Sequence, residues 1–270
     1  MNKQLPPGGI EWTRIYGRPG YTANPVRGCK HECRWEMPSG DIAICYAKSF
    51  KERMSGHGSF KNITWHPSVL ADIRKLKEPS GIFIDSSSDL FGQGVKNEWI
   101  QSVIQTIAEC PQHVFFSLTK NPSRFREFKT PWPSNWLAGI SYPPTFMFGK
   151  RLTPEQQRHW FERGMNWLAE SPAQKPWVSI EPLSLDLSSI LRDYRKVIKW
   201  AVIGAATNGA ATHQPAADVF ANTLDALIGI PVFFKSNLSR TMAEEVAGGW
   251  REEFPKLATA PAEDHQPEML

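Results

Sequence analysis

Short apolar runs that end in polar residues recur along this chain. Most of these runs are predominantly apolar, with no alternation between apolar and polar positions. The predicted strands are Ala23–Val26, Gly81–Asp85, His113–Leu118, Trp136–Ile140, Trp177–Ile180, Ile198–Ile203 and Pro231–Phe234. Strands that are apolar at every position are typical of a parallel sheet that is buried on both faces. The pattern therefore predicts a parallel sheet covered by helices.

The segments between these runs have helical periodicity. Trp99, Val103 and Ile107 fall on one face of a helix predicted from Asn97 to Cys110. Further helices are predicted at Asn121–Phe128, Thr153–Glu170 and Ala216–Ile228. Alternating strands and helices place the chain in the α/β class, as a full or partial (β/α) barrel of about six to seven parallel strands. We expect one domain over residues 1–258 and a disordered tail, rich in polar residues and proline, over 259–270.

Polar residues follow the carboxyl ends of the predicted strands. Because those ends meet at one rim of a parallel barrel, they are candidates for a functional site. The candidate binding residues are Asp85, Ser86, Ser88, Lys120, Glu181 and Lys235. Glu181 directly follows a buried run and precedes Pro182, so we expect its side chain at the mouth, serving a ligand or pairing with Lys120 or Lys235.

Three cysteines lie close together near the start of the chain, in a polar loop that follows the first predicted strand. They are Cys29, Cys33 and Cys45, whereas Cys110 is distant in sequence. Three thiolates select zinc, copper(I) or an iron–sulfur cluster. A closed structural site needs four protein ligands, so three ligands leave one metal position open. We expect these three cysteines to bind a metal centre at the same rim as the polar residues.

Other interpretations of the cysteines remain open. They could be inert buried thiols, disulfides, or ligands of a structural zinc with His31 or Cys110 as the fourth ligand. The first residues resemble no apolar signal segment, and no stretch approaches the roughly 18 apolar residues of a membrane span. We therefore expect a cytoplasmic protein, and reduced thiols, since disulfides are rare in that compartment.

The composition is compatible with an anionic partner. The 270 residues carry a formal net charge of +4 and have a pI near 8.8. Basic residues mix with aromatic ones at residues 48–53, 124–129 and 158–163. Such mixtures suit contact with phosphates and stacking on bases, and they equally suit the outer helices of a basic barrel. Nucleic acid is therefore a candidate partner.

Several segments resemble a known group of proteins. They are Ile10–Thr13, Asn24–Cys29, Cys45–Ala47, Ile84–Phe91, Pro111–Phe115, Leu118–Pro122, Ser179–Leu183 and Pro231–Lys235. A Cys-x3-Cys pair with a third cysteine after the first strand resembles the radical S-adenosylmethionine superfamily. Taken together, the segments resemble the phage-associated Gp37/Gp68 family of radical-SAM-like proteins, of the DUF5131 type.

The resemblance implies a chemistry. Cys29, Cys33 and Cys45 would bind three irons of a [4Fe–4S] cluster, and the fourth iron would bind S-adenosylmethionine. One electron, from a flavodoxin-type or ferredoxin-type donor, would cleave the cofactor to a 5′-deoxyadenosyl radical that takes hydrogen from a substrate. The polar rim residues would bind the cofactor or the substrate. A nucleobase or nucleic acid is the substrate that we consider, by analogy with spore photoproduct lyase.

Two features depart from the family pattern. Residues 34–44 lengthen the gap between the second and third cysteines, and the turn Gly204–Gly209 lacks the glutamate that the family tends to carry there. A rival hypothesis keeps a structural zinc or iron–sulfur site but makes the chain a non-catalytic nucleic-acid-binding module.

Overall fold

The computed structural model describes residues 1–53, 59–209 and 211–257, without the side chains of 50–53. Its centre is an eight-stranded sheet whose strands are neighbours in chain order. The strands are β1 Asn2–Gln4, β2 Gly20–Ala23, β3 Gly81–Ile84, β4 Val114–Thr119, β5 Trp136–Ser141, β6 Trp177–Ile180, β7 Trp200–Ile203 and β8 Val232–Phe234. Strand β1 is antiparallel to β2, and each pair from β2 to β8 is parallel. The predicted run of about six to seven parallel strands is confirmed, with seven.

Helices connect the parallel strands, and a last helix follows β8. They are α1 Tyr46–Arg53, α2 Ser68–Lys75, α3 Asn97–Glu109, α4 Pro154–Ala169, α5 Ser188–Asp193, α6 Ala217–Ala226 and α7 Arg240–Ala247. Helix α4 begins as predicted, because the Thr153 side chain and Gln156 form a reciprocal capping box. The segment after Asn121 differs from the prediction. It is a 3-10 helix, Pro122–Glu127, and the Asn121 side chain does not cap it.

The sheet is a partial barrel whose interior holds an aromatic plug. The Trp12 ring lies 4.8 Å from the Phe83 ring in β3 and 6.0 Å from the Trp200 ring in β7. A flat sheet would separate those two strands by about 19 Å, at roughly 4.8 Å per strand. The sheet must therefore curl around Trp12. The 3-10 helix Glu11–Thr13 carries this residue into the concave face.

Both faces of the sheet are buried, as the apolar strands predicted. On the concave face, Phe83, Phe116, Leu137 and Val202 pack with Trp12 and the C-terminal Leu257. On the convex face, a larger core joins the sheet to the surrounding helices. The partial form of the predicted barrel is the one that occurs, since the pairing order of the described strands runs from β1 to β8.

Two predictions about the N-terminal region are corrected. The first parallel strand is Gly20–Ala23, three residues before the predicted start, because Asn24 and Pro25 end the pairing with β3. The loop between Cys33 and Cys45 is a β-hairpin of Arg34–Glu36 and Ile42–Ile44. That hairpin continues through Phe146–Met147 to Lys150–Arg151 in a four-stranded sheet.

Smaller elements complete the described chain. Val26–Arg27 pairs with Thr64–Trp65, and Ala206–Asn208 pairs with Ala211–His213. Among the described residues, no helix is long and apolar enough to cross a membrane. The predicted disordered tail, 259–270, lies outside the described residues.

Candidate metal and cofactor site

All three clustered cysteines line one cavity. Its volume is about 170 Å³, and its other lining residues are Glu32, Lys48, Ser59, Phe60 and Lys61. The Cys29 amide donates to the Phe60 carbonyl at 2.8 Å, which holds the cysteine loop against the segment Ser59–Lys61 of the cavity lining. A second cavity of about 550 Å³ shares Phe60 and includes Gly28, the neighbour of Cys29. The expected grouping of the three thiols at the rim after the first parallel strand is thus what the fold produces.

The hairpin explains how eleven residues can separate Cys45 from Cys33 and both still reach the cavity. Arg34 pairs with Ile44, so Cys33 and Cys45 are the next residues outward at its base. The Cys45 amide donates to the Cys33 carbonyl at 3.1 Å. The extra residues therefore project away from the cavity and leave the two thiols as neighbours.

The backbone of the cysteine loop adopts uncommon conformations. Glu32, between the first two cysteines, has a φ of 56°, in the left-handed region. Gly28 has a φ of 91°, and a Cβ there would lie 2.2 Å from the Asn62 carbonyl oxygen. Glycine adopts a positive φ without strain, but Glu32 is strained, and such strain persists only where surrounding contacts impose it and gathers at functional sites. Here the strain bends the chain so that it places Cys29 and Cys33 on the same cavity.

The Cys29 and Cys33 thiols are poor acids in the absence of a metal. Burial raises the pKa of Cys33 to about 12, against a lowering effect of Lys120. Burial, and next the Asp89 carboxylate, raise the pKa of Cys29. Both are therefore protonated at neutral pH, and a bound cationic metal would have to displace those protons.

Cys110 lies at the opposite end of the barrel. It follows α3 and precedes β4, so it is near the amino end of the sheet, and it is 3% exposed within the convex core. The cysteine cavity lies at the carboxyl end. This separation removes Cys110 as the fourth ligand in the zinc interpretation.

The donor set fits an iron–sulfur cluster in kind and number. Three thiols share a cavity, and the carboxylate that lines it with them, Glu32, is paired with Lys61. The described residues form no group of three His, Cys, Asp or Glu side chains placed to hold a single metal ion. A cluster differs from a single ion in this respect, because each thiolate binds a different iron.

Asp85 and Ser88 hold the backbone of the cysteine loop. The Val26 amide donates to Asp85 Oδ1 at 3.0 Å, and Ser88 Oγ donates to the Val26 carbonyl at 2.8 Å. Burial raises the pKa of Asp85 well above its ordinary value, although the Val26 and Ser88 contacts lower it. Asp85 Oδ2 is buried without a partner among the described residues. Ser86 Oγ donates to Asn24 Oδ1 at 3.3 Å, which tightens the same junction.

Lys120 lies near the middle of the mouth. Its Nζ donates to Ser141 Oγ at 2.6 Å and lies 5.6 Å from the centre of the Trp35 ring, which comes from the hairpin. The structure thus places Lys120 between the cysteine loop and the later strands, as expected for a rim residue.

Glu181 and Lys235 meet across a gap in the rim. They follow β6 and β8, and the strand between those two continues into Gly204. A Cβ on Gly204 would lie 3.1 Å from Glu181 Cγ, so the glycine leaves room for the Glu181 side chain. Lys235 Nζ donates to Glu181 Oε1, and both side chains are partly exposed. The sequence suggested Lys120 or Lys235 as the partner of Glu181, and the structure shows the pair with Lys235.

Glu11 lies near this ion pair, and the candidate list from the sequence omitted it. Its Oε1 accepts a hydrogen bond from Ser236 Oγ, and its Oε2 is buried without a described partner. Burial by itself lowers the pKa of Lys235, but the carboxylates of Glu181 and Glu11 hold it above its ordinary value. Only the resemblance of Ile10–Thr13 to the family marked this residue, because 224 positions separate it from Lys235.

The hairpin between the cysteines covers the mouth. Trp35 reaches Lys120 after β4, and Arg34 pairs with Phe146 after β5. Met37 and Ala43 pack against Ala206, which follows β7. The hairpin thus spans the mouth from the cysteine loop to the far strands. We call residues 34–44 the roof hairpin.

Comparisons with known proteins give a family match and similarities to solved structures. No curated protein matches the chain. Among solved structures, a spore photoproduct lyase mutant with bound AdoMet and dinucleoside spore photoproduct is similar at 9% identity, with a TM-score of 0.46. Another, complexed with dinucleoside spore photoproduct, is similar at 9% identity with a TM-score of 0.47. The matches cover 81% of this chain and 63% of each lyase chain.

A family model covers nearly the whole chain. The model described as "Protein of unknown function (DUF5131)" matches residues 8–245. This range includes the cysteine loop, the roof hairpin and all seven parallel strands. The chain therefore belongs to the DUF5131 family of proteins of unknown function.

Proposed function

We propose that this protein is a radical S-adenosylmethionine enzyme that uses a [4Fe–4S] cluster held by Cys29, Cys33 and Cys45. One observation carries the proposal: three thiols line one cavity at the carboxyl rim of a parallel partial barrel. The fourth cysteine lies at the other end of the sheet. Three thiolates leave one iron free to bind a cofactor.

When bound, the cluster and S-adenosylmethionine would together supply one-electron cleavage of a C–S bond and a carbon radical. The protein's own residues would provide position and enclosure. Asp85 and Ser88 fix the loop that carries Cys29. The adjacent cavity of about 550 Å³ is within the size range of ligand pockets, and it offers the amide of Asn24 and the ring of Phe60 to a cofactor.

The roof hairpin and the ion pair would act at the opposite side of the mouth. Trp35 and Lys120 narrow the entrance, which would limit the access of water to a radical. Glu181 and Lys235 present charged groups that could orient a polar substrate.

The test is reductive cleavage of the cofactor. Protein reconstituted anaerobically with iron and sulfide is mixed with S-adenosylmethionine and dithionite, which replaces a flavodoxin-type or ferredoxin-type donor. We expect 5′-deoxyadenosine to form, slowly without substrate, and none from the Cys45→Ala variant. Absence of this product from protein with an intact cluster would favour the binding-module hypothesis. A colourless protein that binds zinc would reject the cluster as well.

For the substrate, we propose a nucleobase or nucleic acid. Of the basic and aromatic mixtures, Arg126 and Arg163 both lie over the Trp167 ring, at 5.8 and 4.9 Å from its centre. Arg124, in contrast, is used by the fold, because it donates to the Gly92 and Val95 carbonyls. Oligonucleotide binding that weakens with salt, and weakens further in an Arg126→Gln/Arg163→Gln protein, would support this substrate class.

A further inference from the structure

His31 is buried between a cluster-binding cysteine and a fixed carboxylate. Its side chain is 2% exposed. The Nδ1 atom lies 3.3 Å from Cys29 Sγ and 3.4 Å from Asp89 Oδ2. The sulfur and the carboxylate therefore both approach the same nitrogen of the imidazole.

Asp89 cannot readily turn away from this contact. Its Oδ1 accepts hydrogen bonds from the Phe91 amide at 2.9 Å and from Thr119 Oγ1 at 2.7 Å. Its Oδ2 accepts from the Lys120 amide at 2.8 Å. These hydrogen bonds hold the carboxylate at the end of β4, in contact with His31.

This arrangement decides which nitrogen of His31 carries the proton. A carboxylate oxygen is only an acceptor, so the nitrogen that faces it must be the donor. Nε2 is buried without a partner among the described residues. An unpaired buried acceptor is tolerated better than an unpaired buried N–H, so the proton belongs on Nδ1. Nδ1–H is then the donor to Cys29 Sγ, and Asp89 Oδ2 lies close to the same nitrogen.

We propose that His31, held by Asp89, is a positioning residue that donates a hydrogen bond to Cys29 and raises the reduction potential of the cluster. The inference rests on the proposed function, because it concerns the cluster on those cysteines. A hydrogen bond to a ligating sulfur stabilises the reduced, more negative state. The Asp89 carboxylate lies near the same nitrogen, and its negative charge opposes reduction.

The test is a redox titration of the reconstituted cluster, followed by electron paramagnetic resonance. His31→Leu should shift the potential to more negative values. His31→Asn should bring the potential most of the way back to that of the unmodified protein, because its amide nitrogen occupies the place of Nδ1. The longer His31→Gln should bring it back less far. Asp89→Asn should shift the potential in the opposite direction, because it removes a negative charge. His159→Leu, at an exposed position of α4, is the control and should leave the potential unchanged.

Each outcome decides the proposal. An unchanged potential in His31→Leu overturns it, as does an equal shift in the Asn and Leu variants. If His31→Leu loses its iron, the Asn and Gln variants are compared, and equal potentials overturn the proposal. If the unmodified protein cleaves the cofactor but the His31 variants have an unchanged potential, only this inference fails. If the unmodified protein binds no [4Fe–4S] cluster, the proposed function fails and this inference fails with it.

Discussion

At the scale of single residues, the rim carries two polar groups with different tasks. Near the cysteines, Asp85 and Ser88 hold the loop backbone at Val26. Across the mouth, Lys235 lies beside two carboxylates, Glu181 and Glu11. The first group arranges the cysteine loop, and the second leaves charges partly open to the mouth.

Single cysteine substitutions separate the cavity thiols from Cys110. Changing Cys29, Cys33 or Cys45 to Ala should abolish iron loading, because each lines the cavity. Cys110→Ala should load normally, since its thiol lies in the convex core. Iron and sulfide analysis after anaerobic reconstitution is the measurement. Normal iron content in Cys45→Ala would show that the assignment is wrong.

The ion pair predicts unequal effects of its two partners on stability. Lys235→Met leaves Glu181 and Glu11 without their shared counter-charge, whereas Glu181→Gln leaves Lys235 beside Glu11. We expect losses of about 1–2 kcal/mol and below about 1 kcal/mol respectively, because the side chains are partly exposed. Urea unfolding measures both. A larger loss for Glu181→Gln would indicate that Glu11 does not contribute.

The same ion pair predicts that the free energy of unfolding depends on pH in the alkaline range. The pKa of Lys235 is raised by folding, so its contribution is complete below the ordinary lysine value of about 10.4 and declines as pH rises through the raised value. The difference in unfolding free energy between the unmodified protein and Lys235→Met should therefore shrink in that range. A constant difference up to pH 11.5 or so would contradict this linkage.

At the scale of elements, the base and the body of the roof hairpin have different roles. Its base keeps Cys33 and Cys45 adjacent, and its body packs over Lys120 and Ala206. A hairpin pinned by the pairing of Arg34 with Phe146 is a fixed cover for the mouth. The base and the body can therefore be altered independently.

Shortening the hairpin tests this division. In a variant with an Asn-Gly turn in place of residues 35–43, the tight turn should keep Cys33 and Cys45 together. Iron loading should remain, while bleaching of the cluster in air should become faster than in the unmodified protein, as followed by visible absorbance. Trp35→Phe retains an aromatic cover and serves as the control. Failure to load iron would mean that the body of the hairpin is needed to hold the ligands.

At the scale of the whole molecule, the two ends of the chain complete the partial barrel. Trp12 fills the concave face, and the Tyr16 hydroxyl donates to the Pro255 carbonyl. Phe254 packs on the Trp200 ring at 5.9 Å. Segments from both termini thus cover a face that a closed barrel would cover with strands.

Removing the plug should destabilise the fold. Trp12 is 4% exposed and contacts rings from four strands, so Trp12→Ala should cost about 3–5 kcal/mol. Ile228→Ala, at a position 63% exposed, should change stability by less than about 0.5 kcal/mol. Urea unfolding compares the two. A loss below about 1 kcal/mol for Trp12→Ala would show that the concave core does not depend on this ring.

The sequence alone determined the parallel sheet and the identity of most rim residues. Strands such as Trp136–Ile140 are apolar without alternation, which is typical of a sheet buried on both faces. Asp85, Lys120, Glu181 and Lys235 directly follow strand ends, so the chain direction places them at the rim. Local information was enough, because each of these inferences uses neighbouring residues.

Tertiary structure decided which residues meet. Glu11 reaches Ser236, and His31 reaches Asp89, through contacts between distant segments that no local pattern encodes. The three-residue strands of the roof hairpin gain their structure from pairing and from packing on Ala206, since runs this short have too little periodicity to predict a strand. The partial closure of the barrel also depended on the whole chain, because Trp12 occupies the concave face only after the sheet has curled around it.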